Sequence, residues 1–469
     1  MTPRKQKNLC QPPTPEPQHV IHPHAAGIDI HLNEHWVAVP PESAPPALAH
    51  RPPKLPPWVR KFGTCTADLE ALADWLTACG VDTVAMESTG IYWVPLFELL
   101  ERRGFQVYLV NARQTRQAPG RPKTDVLDCQ WIQRLHSYGL LTASFRPADE
   151  VVVLRGYLRQ RQLLIEYASH HVQHRQKALE QMNVKLREVI NDITGATGMA
   201  IIKAILRGQR DPQQLAKLRH DNCKRTQTEI ARALHGNWRE EHLFALQQAV
   251  ALYEFYGKRL HECDQRLAQY LGTMTDYGQG KQLGAPRRQA RTHTVNEPRF
   301  AARQLLFCMS GVDLTMIEGI SASTALTVLA EIGRDMSKWP TVKHFTSWLG
   351  LCPQTHTSAG KRKRGRVRRI AGRAGRALRM AAQGCHHAKN ALGAFYRRVQ
   401  ARAGGPKAVV ATARKIAERV YRLLKYGAEY VQQEMNAYEE AYRQRLLKGL
   451  ARKAKELGYE LTQLHAATP

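Results

Sequence analysis

Four acidic residues occupy positions where surface charge is a poor explanation. Asp29 lies inside the apolar, strand-like stretch Gly27-Ile28-Asp29-Ile30, and Glu87 closes the strand-like stretch Val84-Ala85-Met86-Glu87. Asp125 and Asp128 are three residues apart, which places them on one face of a helix. Taken singly, Asp125 or Asp128 reads as a solvated helix charge or a first-turn dipole partner, and Glu87 as a strand-end acceptor. Asp29 has few such uses. Gathered in one place, four carboxylates repel one another severely unless cations lie between them. Ligation by oxygen alone suits Mg2+. Two such ions can activate an attacking oxygen and stabilise a leaving one at a phosphodiester.

A second chemical signal lies far along the chain. Trp348-Leu349-Gly350-Leu351-Cys352-Pro353 leads into a loop, Gln354-Thr355-His356-Thr357-Ser358-Ala359-Gly360. Lys361, Arg362, Lys363, Arg364, Arg366, Arg368, Arg369, Arg373, Arg376 and Arg379 follow, so residues 361–379 hold ten basic residues and no acid. A solvated helix face mixes signs, whereas this run suits phosphates. The glycines among them, Gly365, Gly372 and Gly375, would let backbone approach a nucleic acid closely. A serine hydroxyl is a weak nucleophile until a base or metal activates it, and neighbouring guanidinium groups can stabilise charge building on an attacked phosphate. Ser358 therefore reads either as a nucleophile or as a turn hydroxyl, and His356 either as its base or as a loop histidine. Upstream, Gly319 in Ile317-Glu318-Gly319-Ile320-Ser321 suits a helix-hairpin-helix-like phosphate holder and a structural helix turn equally well.

These groups need elements to position them. From Ala26 to about His136 the apolar spacing reads strand (Ala26–His31), strand (His35–Val39), strand (Lys61–Cys65), helix (Asp68–Cys79), strand (Thr83–Met86), helix (Tyr92–Arg103), strand (Gln106–Val110) and a helix capped by Thr124. That order suits an N-terminal RuvC/ribonuclease-H-like α/β domain, with a doubly wound sheet as the alternative. In the former the first and fourth strands are neighbours, and the four acids can converge. Residues 148–190 read as one long helix, with Leu154, Leu158, Ile165, Ala168 and Val172 near one face. It serves as a coiled coil, as half of a helical hairpin or as a simple packed helix. The domain reading is a disordered tail over 1–24, an α/β domain over 25–147, a helical, coiled-coil-like region over 148–272, a linker over 273–300, an all-α serine domain over 301–433 and a charged helical tail over 434–469.

Composition bounds the partners. Over 469 residues, 69 Lys and Arg stand against 40 Asp and Glu, a net charge of +29 that favours a polyanion over a small neutral ligand. The nine cysteines form no C-x-x-C pair, which fits a reducing cytoplasm better than a disulfide framework or a zinc ribbon. The N-terminal segment lacks a signal-peptide h-region, and no apolar run reaches membrane-spanning length. The expectation is a soluble, cytoplasmic protein with no membrane partner.

Several ordered stretches resemble a known family. Gly27-Ile28-Asp29, Met86-Glu87-Ser88-Thr89-Gly90, Lys123-Thr124-Asp125-Val126-Leu127-Asp128, Gly350-Leu351-Cys352-Pro353 and Thr357-Ser358-Ala359-Gly360 are similar to those of the DEDD insertion-sequence transposases. That family also holds the Piv-type DNA invertases and the bridge-RNA-guided recombinases. The likeness spans roughly residues 25–430 and includes Gly236–Phe244, familiar from one branch. It implies that Asp29, Glu87, Asp125 and Asp128 are Mg2+ ligands and catalytic, and that Ser358 attacks DNA and forms a phosphoserine link. It further implies donor and target DNA as substrates, a bridge-type guide RNA as partner, and a homo-oligomer, dimer or tetramer, joined through the long helix. In such an oligomer one chain's serine would meet another's carboxylates. Two positions depart from the pattern: Leu32 stands where a Lys is frequent, and Ala359 replaces the first of two glycines. A junction-resolving nuclease with no use for Ser358 and an inactive nucleic-acid-binding relic are the competing readings.

Overall fold

The computed structural model describes residues 19–44, 55–115, 124–286, 296–359, 361–367 and 372–462, and within the last strand pair it leaves the side chains of 354–358, 361–364 and 366 undescribed. Two compact units divide at Arg146 and Pro147.

The first unit is an α/β layer. Its elements are β1 (Ala25–Ile30), β2 (His35–Ala38), β3 (Val59–Phe62), α1 (Thr66–Ala78), β4 (Thr83–Glu87), α2 (Trp93–Arg102), β5 (Gln106–Val110) and α3 (Asp125–Ser137). The sheet order is β3-β2-β1-β4-β5. β1 pairs antiparallel with β2 and β2 with β3, as short connections allow, while β1-β4-β5 are parallel and need the helical crossovers α1 and α2. The third strand, Val59–Phe62, ends before the expected Cys65, because the Asp68 carboxylate accepts the Cys65 amide at 3.1 Å and starts α1 there. Residues 19–24, expected in a disordered tail, are held instead: the Ile21 and His22 amides both donate to Ser137 O.

Strand alternation separates two faces. Ile28, Ile30, Val84 and Met86 join Leu72, Leu76, Leu96 and Leu100 in the main core on one side. Gly27, Asp29, Ala85 and Glu87 alternate with them and lie toward α3, whose Ile132 packs on Ala85. A Cβ on Gly27 would lie 2.1 Å from Gln133 N and 2.5 Å from Cys129 O, so only glycine lets α3 press against β1 this closely. On the same face Thr83 Oγ1 donates to Gln106 O at 3.0 Å, which leaves it to accept from buried His136 Nε2 at 2.9 Å.

The second unit opens with α4 (Asp149–Gln181), α5 (Leu186–Val189), α6 (Ala196–Leu206), α7 (Pro212–Ala216), α8 (Gln227–Ala233) and α9 (Glu240–Thr273). α4 ends nine residues before the expected 190, because Asn183 adopts φ +56°, a left-handed turn that asparagine tolerates. α4 and α9 pack antiparallel in one hairpin: Tyr157 meets Tyr270 and Tyr167 meets Tyr256. The buried side of α4 is Val151, Leu154, Arg161, Leu164, Arg175, Ala178 and Leu179. Two of its positions are buried arginines. Arg161 Nε donates to buried Asp264 of α9 at 2.6 Å, and Arg175 lies 4.1 Å over the Tyr253 ring. Residues 287–295 of the expected linker lie outside the described residues.

The remaining elements are α10 (Ala302–Ser310), α11 (Ala322–Ile332), α12 (Val342–Trp348), β6 (Pro353–Ser358), β7 (Lys361–Val367), α13 (Arg373–Gly384), α14 (Ala391–Ala403), α15 (Gly405–Tyr426) and α16 (Ala428–Glu456). α15 is the central helix, packed by α12, α13, α14 and α16. The region is not all-α as expected: β6 and β7 form an antiparallel hairpin between α12 and α13. Of the expected charged helical tail over 434–469, residues 463–469 lie outside the described residues; α16 begins at Ala428, Glu434 pairs with Arg422 of α15 at 2.5 Å, and Glu439 accepts the Ala391 amide at 2.9 Å.

Candidate active site

The carboxylates gather where β1 and β4 end. Ile28 and Met86 are the last paired residues of these parallel strands, so Asp29 and Glu87 are the next residue on each. By alternation both lie on the α3 side. Thr124 caps α3 by accepting the Leu127 amide at 3.3 Å, which places Asp125 and Asp128 in the first turn. There the helix dipole favours negative charge. Asp125, Cys129 and Gln133 follow one another at four-residue intervals, and the Gly27 contact fixes that stripe against β1. Asp29 is mostly buried, Asp125 half-exposed. Burial pushes the Asp29 carboxyl above its ordinary range, His31 opposes the rise, and Asp128 and Glu87 add to it. Beneath the acids, burial and the Asp29 charge push the Cys129 thiol up to about 12, leaving it inert.

Two residues absent from the expected set complete the arrangement. His31 Nε2 lies 3.0 Å from Asp29 Oδ2 and 3.5 Å from Asp125 Oδ1. The donor atoms of Asp29, His31 and Asp125 all fall within 4.8 Å of one another. The spacing of His31 two residues after Asp29 was the signal for it. Thr115 Oγ1 donates to Glu87 Oε2 at 2.8 Å, and Trp131 Nε1 of α3 donates to Thr115 O at 2.9 Å. No local pattern announces Thr115, because its role depends on a contact 28 residues away.

The distal candidates are set on the hairpin. Ser358 ends β6 rather than lying in a free loop, and register pairs it with Lys361, His356 with Lys363, Thr357 with Arg362 and Thr355 with Arg364. Ala359 at the turn has φ +49°, which disfavours any residue with a Cβ. α13 packs closely on the segment before the ribbon: a Cβ on Gly375 would lie 2.5 Å from Leu349 O, and Arg379 donates to Gly350 O at 2.8 Å. Gly375 and Arg379 are thus occupied by packing rather than freed for phosphate. Arg373 and Arg376 are exposed on α13, whereas Arg368 and Arg369 lie outside the described residues. Gly319, with φ +84°, has the Ala381 carbonyl 2.7 Å from its Cβ position, and Glu318 is buried in an ion pair with Arg419 of α15. Packing against α13 accounts for that glycine.

Residues 26–184 match the family described as DEDD transposase of IS110, and residues 313–397 match the transposase IS116/IS110/IS902 family. Together they span just over half of the chain. The first match contains all four carboxylates and the second contains Ser358. The chain belongs to the IS110 transposase family. No curated protein matches it.

Membership makes the protein a transposase acting on DNA, and a DEDD transposase uses a divalent metal. The donor set of this transposase fits one: a mostly buried carboxylate whose proton affinity is raised by burial and by two further acids gains from a cation at the same place. No helix among the described residues is long and apolar enough to cross a membrane.

Proposed function

We propose that the protein is an insertion-sequence recombinase that cuts and rejoins DNA with two chemical sites, a Mg2+ centre on a RuvC/ribonuclease-H-like domain and a serine nucleophile. The observation that carries the reading is the convergence of Asp29, Asp125 and His31 with the charges of Glu87 and Asp128 at the ends of the paired strands β1 and β4. Asp29, Glu87, Asp125 and Asp128 hold the metal, and Thr115 holds Glu87 in place. When bound, the metal polarises the phosphate and favours the attacking and leaving oxygens.

Ser358 supplies the attacking oxygen. Its Oγ–P bond forms as the phosphodiester P–O bond breaks, the serine proton passes to a base, and the released deoxyribose hydroxyl takes up a proton. The phosphoserine ester keeps the energy of the broken bond, so rejoining needs no external cofactor. A two-stranded ribbon fits the DNA major groove. Lys361, Arg362, Lys363, Arg364, Arg366, Arg368, Arg369, Arg373 and Arg376 hold phosphates around Ser358. The family likeness and the charge of +29 support a bridge-type guide RNA as a further partner and a homo-oligomer, dimer or tetramer, in which one chain's serine works beside another's carboxylates.

Asp29→Asn and Ser358→Ala proteins test the reading. Each retains DNA binding and fails to cut, and a mixture of the two recovers cutting if the site is shared between chains. Cutting by Ser358→Ala alone would leave a metal nuclease with no serine chemistry. Cutting by Asp29→Asn would remove the metal centre from the mechanism.

A further inference from the structure

The placement of His31 goes beyond a four-carboxylate centre. An octahedral ion with ligands about 2.1 Å away has neighbouring donors about 3 Å apart. His31 Nε2 stands at 3.0 Å from Asp29 Oδ2 and 3.5 Å from Asp125 Oδ1, and all three donor atoms lie within 4.8 Å of one another. The imidazole thus stands beside two of the acids, with the three donor atoms close enough together to face one ion. Asp29 and His31 are two apart at the end of β1, so strand alternation keeps both on the α3 side. The closeness of α3, set by Gly27, brings Asp125 to the pair.

We propose that His31 is a nitrogen ligand of the divalent ion held by Asp29 and Asp125, and that it shifts the metal preference of this transposase away from Mg2+ toward first-row transition ions. Hard Mg2+ gains little from imidazole, whereas nitrogen ligation strengthens binding along the series from Mn2+ to Co2+ and beyond. As a ligand the ring would offer its Nε2 lone pair to the ion. The same nitrogen lies within hydrogen-bond distance, 3.0 Å, of Asp29 Oδ2. The competing role is a placeholder cation that leaves when the metal arrives, and it predicts the opposite effect of removal.

The inference rests on the proposed metal centre, and the test separates the two. Mn2+ is bound to full-length wild-type, His31→Ala, His31→Gln and Asp29→Asn proteins and examined by electron spin-echo envelope modulation, and Co2+ and Mg2+ affinities are measured by calorimetry. The His31 side chain is 41% exposed, so its removal leaves the core intact. The expected result is an imidazole nitrogen coupling in the wild-type protein that is absent from both His31 variants. Co2+ affinity should fall about tenfold or more, with Mg2+ affinity nearly unchanged. No nitrogen coupling in the wild-type protein, or a coupling that persists in His31→Ala, overturns the proposal. So does a rise in both affinities in His31→Ala, the mark of a placeholder. Metal binding that survives in Asp29→Asn overturns the metal centre itself.

Discussion

Replacing Gly27 with alanine should disable the acid cluster without touching an acid. The added Cβ would stand 2.1 Å from Gln133 N and 2.5 Å from Cys129 O, both backbone atoms of α3. Ordinary contact begins near 3.4 Å, so α3 must retreat by about 1.3 Å from β1. Overpacking of this kind costs about 1–3 kcal/mol, which lowers the melting temperature of a unit this size by several degrees. The larger effect falls on chemistry. Asp125 and Asp128 move with α3 while Asp29 and Glu87 stay on the sheet, and a displacement of about 1 Å in a catalytic constellation can cost about a hundredfold in rate. The assay is calorimetric Mn2+ binding and DNA cleavage by Gly27→Ala, with Gly156→Ala as control, since nothing lies within 4 Å of a Cβ at that site in α4. The control should match wild type or gain slightly in stability. A Gly27→Ala protein with wild-type melting temperature, metal affinity and cleavage would refute the idea that helix–strand contact sets the site.

Burial holds the His136 pKa down to about 4 against an ordinary 6.5. The unfolded chain therefore binds the extra proton first, and the contribution of this residue is full above pH 6.5 and lost as pH falls toward 4. The total is about 3 kcal/mol; urea midpoints against pH should show the slope, and His136→Gln should flatten it. Ala359→Gly should relieve about 1 kcal/mol of left-handed strain at φ +49°, seen as slower hydrogen exchange across β6 and β7; faster exchange would contradict the strained turn. If the basic run makes six phosphate contacts, DNA affinity should fall about a thousandfold between roughly 50 and 200 mM salt. Replacing Arg364, Arg366, Arg368 and Arg369 with Gln should flatten the log–log slope, whereas an unchanged slope would make the run a solvated face.

What could be read from the sequence was the part written in short-range pattern. Short apolar runs mark β1, β4 and β5, helical spacing marks α1 and α2, and Thr124 announces α3 as its cap. With the strand order, this suffices to bring Asp29 and Asp125 into one neighbourhood. The buried side of α4 was only half visible, because Arg161 and Arg175 take buried positions where apolar residues would have marked the packed face, and their partners Asp264 and Tyr253 lie far along the chain. The hairpin was missed for a related reason. Lys361 to Arg366 carry no alternation of apolar and polar residues, and backbone pairing makes the ribbon. Thr115 and the packing roles of Gly319 and Gly375 are tertiary facts without a local signature. The Ala359 departure, by contrast, gains a physical meaning from the structure, since that position takes the backbone conformation for which glycine is the natural residue.

The central claim joins the carboxylate centre to serine chemistry, and mapping the protein–DNA adduct tests it most directly. Wild-type protein is incubated with Mg2+ and DNA carrying the ends of its own element, the reaction is stopped with denaturant, and the covalent peptide is identified by mass spectrometry after proteolysis. The account predicts one adduct on the peptide containing Ser358, formed only with metal and absent from Asp29→Asn and Ser358→Ala. An adduct on another residue, or one formed equally by Asp29→Asn or in chelator, would contradict it.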